Sequence, residues 1–154
     1  AYFTRGSGHN EKAAYTERPD DYVNKMNRLL KKLETAKKHI PQPVIDKKDK
    51  AKVGIIAFGS SDYAIGESRD QMQAANLPTS YLRLRALPLT DDVKSFIASH
   101  ERTYVVEQNR DGQLKDIIVA EYPDIAAKIR SVRHFDGLPL DARFVTDAIT
   151  SQEK

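Results

Sequence analysis

A dense group of polar side chains follows a short apolar segment in the middle of the chain. The apolar segment covers residues 104–106, and a helix is predicted to begin near Gly112. Between them stand Glu107, Gln108, Asn109, Arg110 and Asp111. Ligands and partner surfaces collect at the carboxyl ends of strands in open α/β sheets, so these five residues are candidates for a contact site. The alternative is a solvated connection in which Asp111 caps the helix ahead of Gly112. Glu107 is an available carboxylate, but the sequence shows no acid–base partner for it.

A second candidate site follows the continuous apolar run Val53–Phe58, which is typical of a strand buried on both faces of a parallel sheet. Gly59, Ser60 and Ser61 come next, and a helix is predicted after them. This order leaves backbone amides and hydroxyls at a helix N-terminus, where an anion can bind. Ordinary helix capping explains the same residues, and both interpretations stay open.

Two arginines share one face of a predicted strand at residues 80–86. Leu82 and Leu84 alternate with Arg83 and Arg85, as expected for a strand with two different faces. A buried charge needs a partner. We therefore expect this face either to be open or to be covered by another subunit or an acidic group, and we favour a covered, paired arrangement.

The composition limits the chemistry that this chain can supply. Among its 154 residues there is no cysteine, which excludes disulfides, thiolate zinc sites and iron–sulfur ligation by the chain itself. Four histidines fall at no metal-ligand spacing, so we predict no metal site; they are His9, His39, His100 and His134. His134 and Asp136 form only a local pair, typical of a turn. No apolar run approaches the length of a membrane span, and the first residues show no secretory signal pattern.

The formal charge of +3 is unevenly distributed along the chain. Residues 21–52 hold ten Lys or Arg against four Asp or Glu, which gives this stretch about +6 and the remainder about −3. Such a stretch can meet an acidic partner protein, or it can be a solvated helix face followed by a basic loop. The lysines are not interleaved with aromatic residues, which argues against nucleic acid.

The order of elements predicts the fold. Residues 1–18 read as an arm or inter-domain connector, and residues 19–154 as an α/β domain that begins with a basic amphipathic helix at 19–40. Strands are predicted at 53–58, 80–86, 102–106 and 129–132, with helices between them. This alternation predicts a three-layer α/β/α sandwich with a mainly parallel sheet. Residues 151–154 are expected to fray.

Five segments together resemble one family. They are residues 2–10 (Tyr-Phe-Thr-Arg-Gly-Ser-Gly-His-Asn), 52–61 (Lys-Val-Gly-Ile-Ile-Ala-Phe-Gly-Ser-Ser), 81–89 (Tyr-Leu-Arg-Leu-Arg-Ala-Leu-Pro-Leu), 104–114 (Tyr-Val-Val-Glu-Gln-Asn-Arg-Asp-Gly-Gln-Leu) and 135–140 (Phe-Asp-Gly-Leu-Pro-Leu). In this order they resemble the C-terminal part of the α subunit of 2-oxoacid:ferredoxin oxidoreductases, most closely the 2-oxoglutarate type. The resemblance covers almost the whole chain.

The resemblance implies a transketolase C-terminal-domain-like fold with a five-stranded sheet, one edge strand of which is antiparallel. Val44 and Ile45, or part of the arm, are the candidates for the fifth strand. It also implies that the whole enzyme converts a 2-oxoacid, coenzyme A and oxidised ferredoxin into an acyl-CoA, carbon dioxide and reduced ferredoxin. Thiamine diphosphate, Mg and iron–sulfur clusters serve that reaction in the family.

The chain departs from the family's catalytic pattern. The diphosphate–Mg site needs a Gly-Asp-Gly motif, but no glycine precedes Asp111 and Gly112. The family's Tyr-Pro-Ile-Thr-Pro motif is also missing. The resemblance therefore implies that the cofactors lie elsewhere in the enzyme, that no residue of this chain is catalytic, and that the chain alone is inactive.

By resemblance, this is a structural and assembly domain of a cytoplasmic enzyme, in contact with the other α-subunit domains and the β subunit. The interface candidates are Arg83, Arg85, Glu107, Gln108, Asn109, Arg110 and Asp111. Thr4, Arg5 and Ser7 of the arm are expected near the catalytic domain, and Gly59, Ser60 and Ser61 near a coenzyme A channel. Two alternatives remain: a stand-alone binder of an anion or nucleotide such as coenzyme A, and a basic docking module for an acidic protein such as ferredoxin.

Overall fold

The computed structural model describes residues 8–154 and divides the chain into two compact units, Ala1–Ile40 and Pro41–Lys154. Thr4, Arg5 and Ser7, predicted to lie near a catalytic domain, fall outside the described residues. The sequence-derived division between residues 18 and 19 stays a prediction.

The N-terminal unit contains one long helix. Helix α1 (Pro19–Ala36) begins with Pro19 at its first turn and has Asp20 and Asp21 near its positive end, as the sequence predicts. It ends before the predicted limit at residue 40, and hydrogen-bonded turns continue the chain to Ile40. No residue of α1 is buried.

The second unit is built on a five-stranded sheet. Its strands are β1 (Val44–Asp46), β2 (Val53–Phe58), β3 (Thr79–Leu84), β4 (Arg102–Glu107) and β5 (Ile129–Arg133). They lie in the order β1-β3-β2-β4-β5, and all neighbours are parallel except β1, which pairs antiparallel with β3. Both predictions, a mainly parallel five-stranded sheet and an antiparallel edge strand at Val44 and Ile45, are confirmed.

Helices cover both faces of this sheet. They are α2 (Asp62–Ala74), α3 (Asp91–Ala98), α4 (Gln113–Glu121) and α5 (Ala142–Gln152), with short 3-10 helices at Gly59–Ser61 and Pro123–Lys128. Alternate residues of β2 enter two separate cores: Ile56 packs with α3 and α4, whereas Ile55 and Ala57 pack with α2 and α5. The three-layer α/β/α arrangement predicted from the sequence is therefore confirmed. Among the described helices, none is both long and apolar enough to cross a membrane.

The end of α5 differs from the prediction. Residues 151–154 were expected to fray, but α5 continues to Gln152 and Glu153 is fixed by side-chain contacts. The Glu153 carboxylate accepts hydrogen bonds from Nε and Nη2 of Arg102, each at 2.6 Å, and from the Tyr104 hydroxyl at 2.6 Å. The prediction was wrong because a bidentate ion pair with β4, distant in sequence, holds the last turn.

Candidate functional site

An apolar cleft lies at the carboxyl ends of β2 and β3, beside the start of α4. Its volume is about 420 Å³, and it is lined by Phe58, Gly59, Leu84, Arg85, Ala86, Leu87, Gln113, Leu114 and Ile117. Phe58, Leu87 and Ile117 are respectively 39%, 51% and 43% exposed, so the cleft presents apolar side chains to its surroundings. Arg85 is the charged residue of this lining and makes no ion pair with any residue of the described range. The cleft thus combines an apolar wall with one available cation.

Glu107 is fully buried beneath this edge and holds the start of α4. Its Oε1 accepts from the Leu114 amide at 2.6 Å and its Oε2 from the Lys115 amide at 3.2 Å. The first amides of a helix have no partner within the helix, and a negative charge there is stabilised by the helix dipole. Glu107 therefore acts on the helix terminus, and any contribution to an interface would be indirect.

Asn109 completes this cap. Its Oδ1 accepts from the Gly112 amide at 2.6 Å and from the Gln113 amide at 3.3 Å, and its Nδ2 donates to Glu107 Oε1 at 3.0 Å. Gly112 has a φ of +74°, a conformation that favours glycine. The alternative in which Asp111 caps α4 was wrong, because a side chain two positions earlier reaches the free amides.

Gln108 links this turn to the loop after β2. Its Nε2 donates to Ser60 Oγ at 3.1 Å and to Ser61 Oγ at 3.2 Å. The two candidate segments are therefore in contact, as expected for the ends of adjacent parallel strands. The Asp62 carboxylate lies at the start of α2, where it disfavours the binding of an anionic ligand. This arrangement favours a structural role for Gly59–Ser61 over an anion site.

The two arginines of β3 have different surroundings. Arg83 Nη1 lies 3.1 Å from Asp62 Oδ2, and the neighbouring Tyr81 hydroxyl donates to Asp62 Oδ1 at 2.7 Å. Burial and the hydrogen bond to Asp62 raise the pKa of Tyr81. Arg83 is thus paired with Asp62 of the same chain, whereas Arg85 lies past the end of β3 and lines the cleft.

Arg110 and Asp111 form an exposed ion pair at the tip of the turn, with Arg110 Nε 2.6 Å from Asp111 Oδ1. The Arg110 carbonyl accepts from Arg133 Nη1 at 2.9 Å, which ties the turn to β5. Together with Gln108, these two residues are the exposed members of the predicted interface turn. The interface role itself stays a prediction.

No metal-binding arrangement is present among residues 8–154, where no three His, Asp or Glu side chains converge. His134 is buried, lies 3.3 Å from Asp136 Oδ1, and packs edge-on against Phe144. Asp136 also accepts from the Leu138 amide, which is a turn contact. The donor set of this chain does not fit an iron–sulfur cluster, because the sequence has no cysteine.

Sequence reasoning missed the apolar lining of the cleft. Phe58 closes an apolar run whose composition predicts burial on both faces, but Phe58 is partly exposed, as is Ile117 of α4. The sequence gives no signal for Leu87, because Leu89 in the same loop between β3 and α3 is also apolar but is buried. The exposure of Leu87 depends on the tertiary course of that loop.

Protein-family models give no match to this chain, and curated proteins give none either. A solved structure of 2-oxoglutarate:ferredoxin oxidoreductase from Magnetococcus marinus, with 2-oxoglutarate, coenzyme A and succinyl-CoA bound, is similar with a TM-score of 0.84 and 22% identity. The similarity covers 100% of this chain but 27% of that chain. The alpha chain of a probable 2-oxoacid ferredoxin oxidoreductase from Thermoplasma acidophilum is similar with a TM-score of 0.48 and 18% identity, over 72% of this chain and 96% of its own length.

The Magnetococcus protein is an enzyme of the kind that the five sequence segments resemble. The present chain spans only about a quarter of the length of the Magnetococcus chain. The likeness establishes that this chain folds as a region of a 2-oxoglutarate:ferredoxin oxidoreductase chain does.

Proposed function

We propose that this chain is a non-catalytic assembly domain of the α subunit of a 2-oxoacid:ferredoxin oxidoreductase, of the 2-oxoglutarate type. The observation that carries this proposal is the fold match over the entire chain at a TM-score of 0.84. The five ordered sequence segments support it independently of the fold. In the whole enzyme, a 2-oxoacid, coenzyme A and oxidised ferredoxin give an acyl-CoA, carbon dioxide and reduced ferredoxin.

We assign the contact with the remaining α-subunit domains and the β subunit to the cleft edge. This edge presents Arg85 beside exposed Phe58, Leu87 and Ile117. We include the turn after β4, where Gln108, Arg110 and Asp111 are exposed. Apolar residues around an exposed arginine are typical of the centre of a protein–protein interface. Glu107 and Asn109 support this surface by fixing the start of α4.

Thiamine diphosphate, Mg and the iron–sulfur clusters belong to other parts of the enzyme in this proposal, and the enzyme is placed in the cytoplasm. The residues of the chain offer no thiolate for a cluster. In this proposal the chain takes part in no chemical step and positions the catalytic parts relative to one another.

Purification of the chain with an affinity tag from its own cells tests the proposal. We expect a thiamine- and iron–sulfur-containing assembly that reduces ferredoxin or a viologen dye only when both a 2-oxoacid and coenzyme A are present. The isolated chain should show no such activity. A chain that purifies without partners, or an assembly without this activity, would contradict the proposal.

A further inference from the structure

The apolar face of α1 is exposed along its whole length. Tyr22, Met26, Leu29 and Leu33 follow one another at intervals of four, three and four residues, and Ala36 continues the series. This is the heptad spacing of a helix that packs against another helix. Tyr22, Met26, Leu29 and Leu33 are respectively 55%, 42%, 39% and 52% exposed. Such a continuous seam of large apolar side chains is typical of an interaction surface.

The positions beside this seam carry a distinct charge. Lys25 and Lys32 occupy the flank on one side, and neither pairs with an acid in the described part of the chain. Val23 and Leu30 widen the apolar seam on the other side, where they are 55% and 62% exposed. Flanking charges select the partner of a heptad seam. Two unpaired lysines therefore favour a partner helix with acidic residues at its flanks.

The same lysines disfavour a second copy of this chain on the seam. In a parallel pair of α1 helices, Lys32 would face Lys37 of the other copy; in an antiparallel pair, it would face Lys25. Like charges at these positions are destabilising. Lys37 is also engaged by Glu34 of its own helix, at 3.1 Å.

We propose that α1 docks an amphipathic helix of a partner protein, one with an apolar heptad seam flanked by glutamate or aspartate. Tyr22, Met26, Leu29 and Leu33 take the apolar seam of that helix, and Lys25 and Lys32 take its carboxylates. This helix-docking surface depends on α1 alone. It holds or fails independently of the enzyme assignment.

Two labelled synthetic peptides of three heptads test this proposal against the full chain. Both carry isoleucine and leucine in the seam; one has glutamate at the flanks and the other has lysine. By fluorescence anisotropy at low salt, we expect the acidic peptide to bind at least tenfold more tightly than the basic one. Affinity should fall as salt is added, because exposed charge pairs are screened.

Two variants and one matched control locate the binding. Leu29→Ser with Leu33→Ser should weaken the acidic peptide at least tenfold. Lys25→Glu with Lys32→Glu should reverse the preference between the peptides, a gain that misfolding does not produce. Lys47→Glu with Lys48→Glu changes the net charge equally, in an exposed loop outside α1, and should leave the preference unchanged.

Several results would overturn the proposal. Absence of binding to either peptide would do so, as would an equal effect of the loop control. Loss of binding with the lysine variant but not with the leucine variant would indicate electrostatic docking of an acidic surface. Sedimentation of the chain as a dimer that Leu29→Ser disrupts would assign the seam to a second copy. Adsorption to phosphatidylserine vesicles, with no peptide binding, would assign it to a lipid surface.

Discussion

At the scale of single residues, Glu107 contributes a buried hydrogen-bond acceptor to the junction between β4 and α4. Glu107→Ala removes the acceptor of two helix amides at once, and a buried amide without a partner costs free energy. We expect the free energy of unfolding, measured by urea titration, to fall by about 2–4 kcal/mol.

Asp111→Ala provides the matched control for Glu107→Ala. Asp111 lies in the same turn, but its carboxylate is exposed and, among residues 8–154, pairs only with Arg110. Exposed ion pairs contribute about 0–1 kcal/mol. Equal losses in the two variants would mean that the capping contact of Glu107 carries no special stability.

Gly54 is a second residue at which the packing leaves no choice of side chain. A Cβ at this position of β2 would lie 2.7 Å from Phe96 Cε1 and 3.1 Å from His100 Nδ1, and both rings are buried. Overpacking a core in this way costs about 1–3 kcal/mol, and we expect Gly54→Ala to lower the free energy of unfolding by that amount.

Gly66→Ala gives the opposite expectation for the same chemical change. Gly66 lies in α2, and nothing stands within 4 Å of its added Cβ. Alanine stabilises a helix interior by about 0.5–1 kcal/mol relative to glycine. If Gly54→Ala melted at the same temperature as Gly66→Ala, Phe96 would have moved to accommodate the added methyl group, and its contact would not restrict position 54 to glycine.

At the scale of elements, the contact of Glu153 with Arg102 joins the end of α5 to β4. Hydrogen bonding to Arg102 lowers the pKa of Glu153 below its ordinary value of 4.5. A lowered pKa in the folded state means that the contact stabilises the fold above about pH 4.5. This stabilisation is lost as the pH falls through the lowered pKa. The Arg102 side chain is 35% exposed, so solvent screening limits the stabilisation that this contact provides.

We expect Glu153→Gln to lower the free energy of unfolding by about 1–2 kcal/mol at pH 7. The difference between wild type and variant should shrink as the pH is lowered from 4.5 towards 3. Asp111→Asn removes the same charge from an exposed pair with Arg110 and should have little effect at either pH. A Glu153 effect that did not change with pH would point to packing and not to charge.

The elements themselves were largely predictable, because their signals are local. The apolar run of β2 and the alternation in β3 indicate strands whatever the position of those strands in the sheet. The caps and ends were less predictable. Two side chains that precede α4 by several residues cap it, and α5 is held by an arginine of β4. Contacts of this kind depend on which strands are neighbours, which periodicity does not specify.

At the scale of the whole molecule, strand order decides which candidate residues meet. The sequence predicts polar groups after β2 and after β4, and the central position of β2 between β3 and β4 brings them together. The apolar cleft could not be predicted in the same way. Phe58, Leu87 and Ile117 come from a strand end, a loop and a helix, and only the packing of these three elements leaves them exposed. Exposed apolar residues gathered at one edge are typical of a surface that binds a partner.

Arg85 gives this proposed interface its most direct test. It lines the cleft and has no ion-pair partner in the described range, so Arg85→Glu should leave the melting temperature of the isolated chain within about 2 °C of wild type. In the purified assembly we expect about tenfold weaker association, equivalent to about 1.4 kcal/mol, because the substituted charge opposes the partner surface. Arg143→Glu, at an exposed position of α5, makes the same charge change away from the cleft. Assembly that tolerates Arg85→Glu as well as it tolerates Arg143→Glu would remove the cleft edge from the interface.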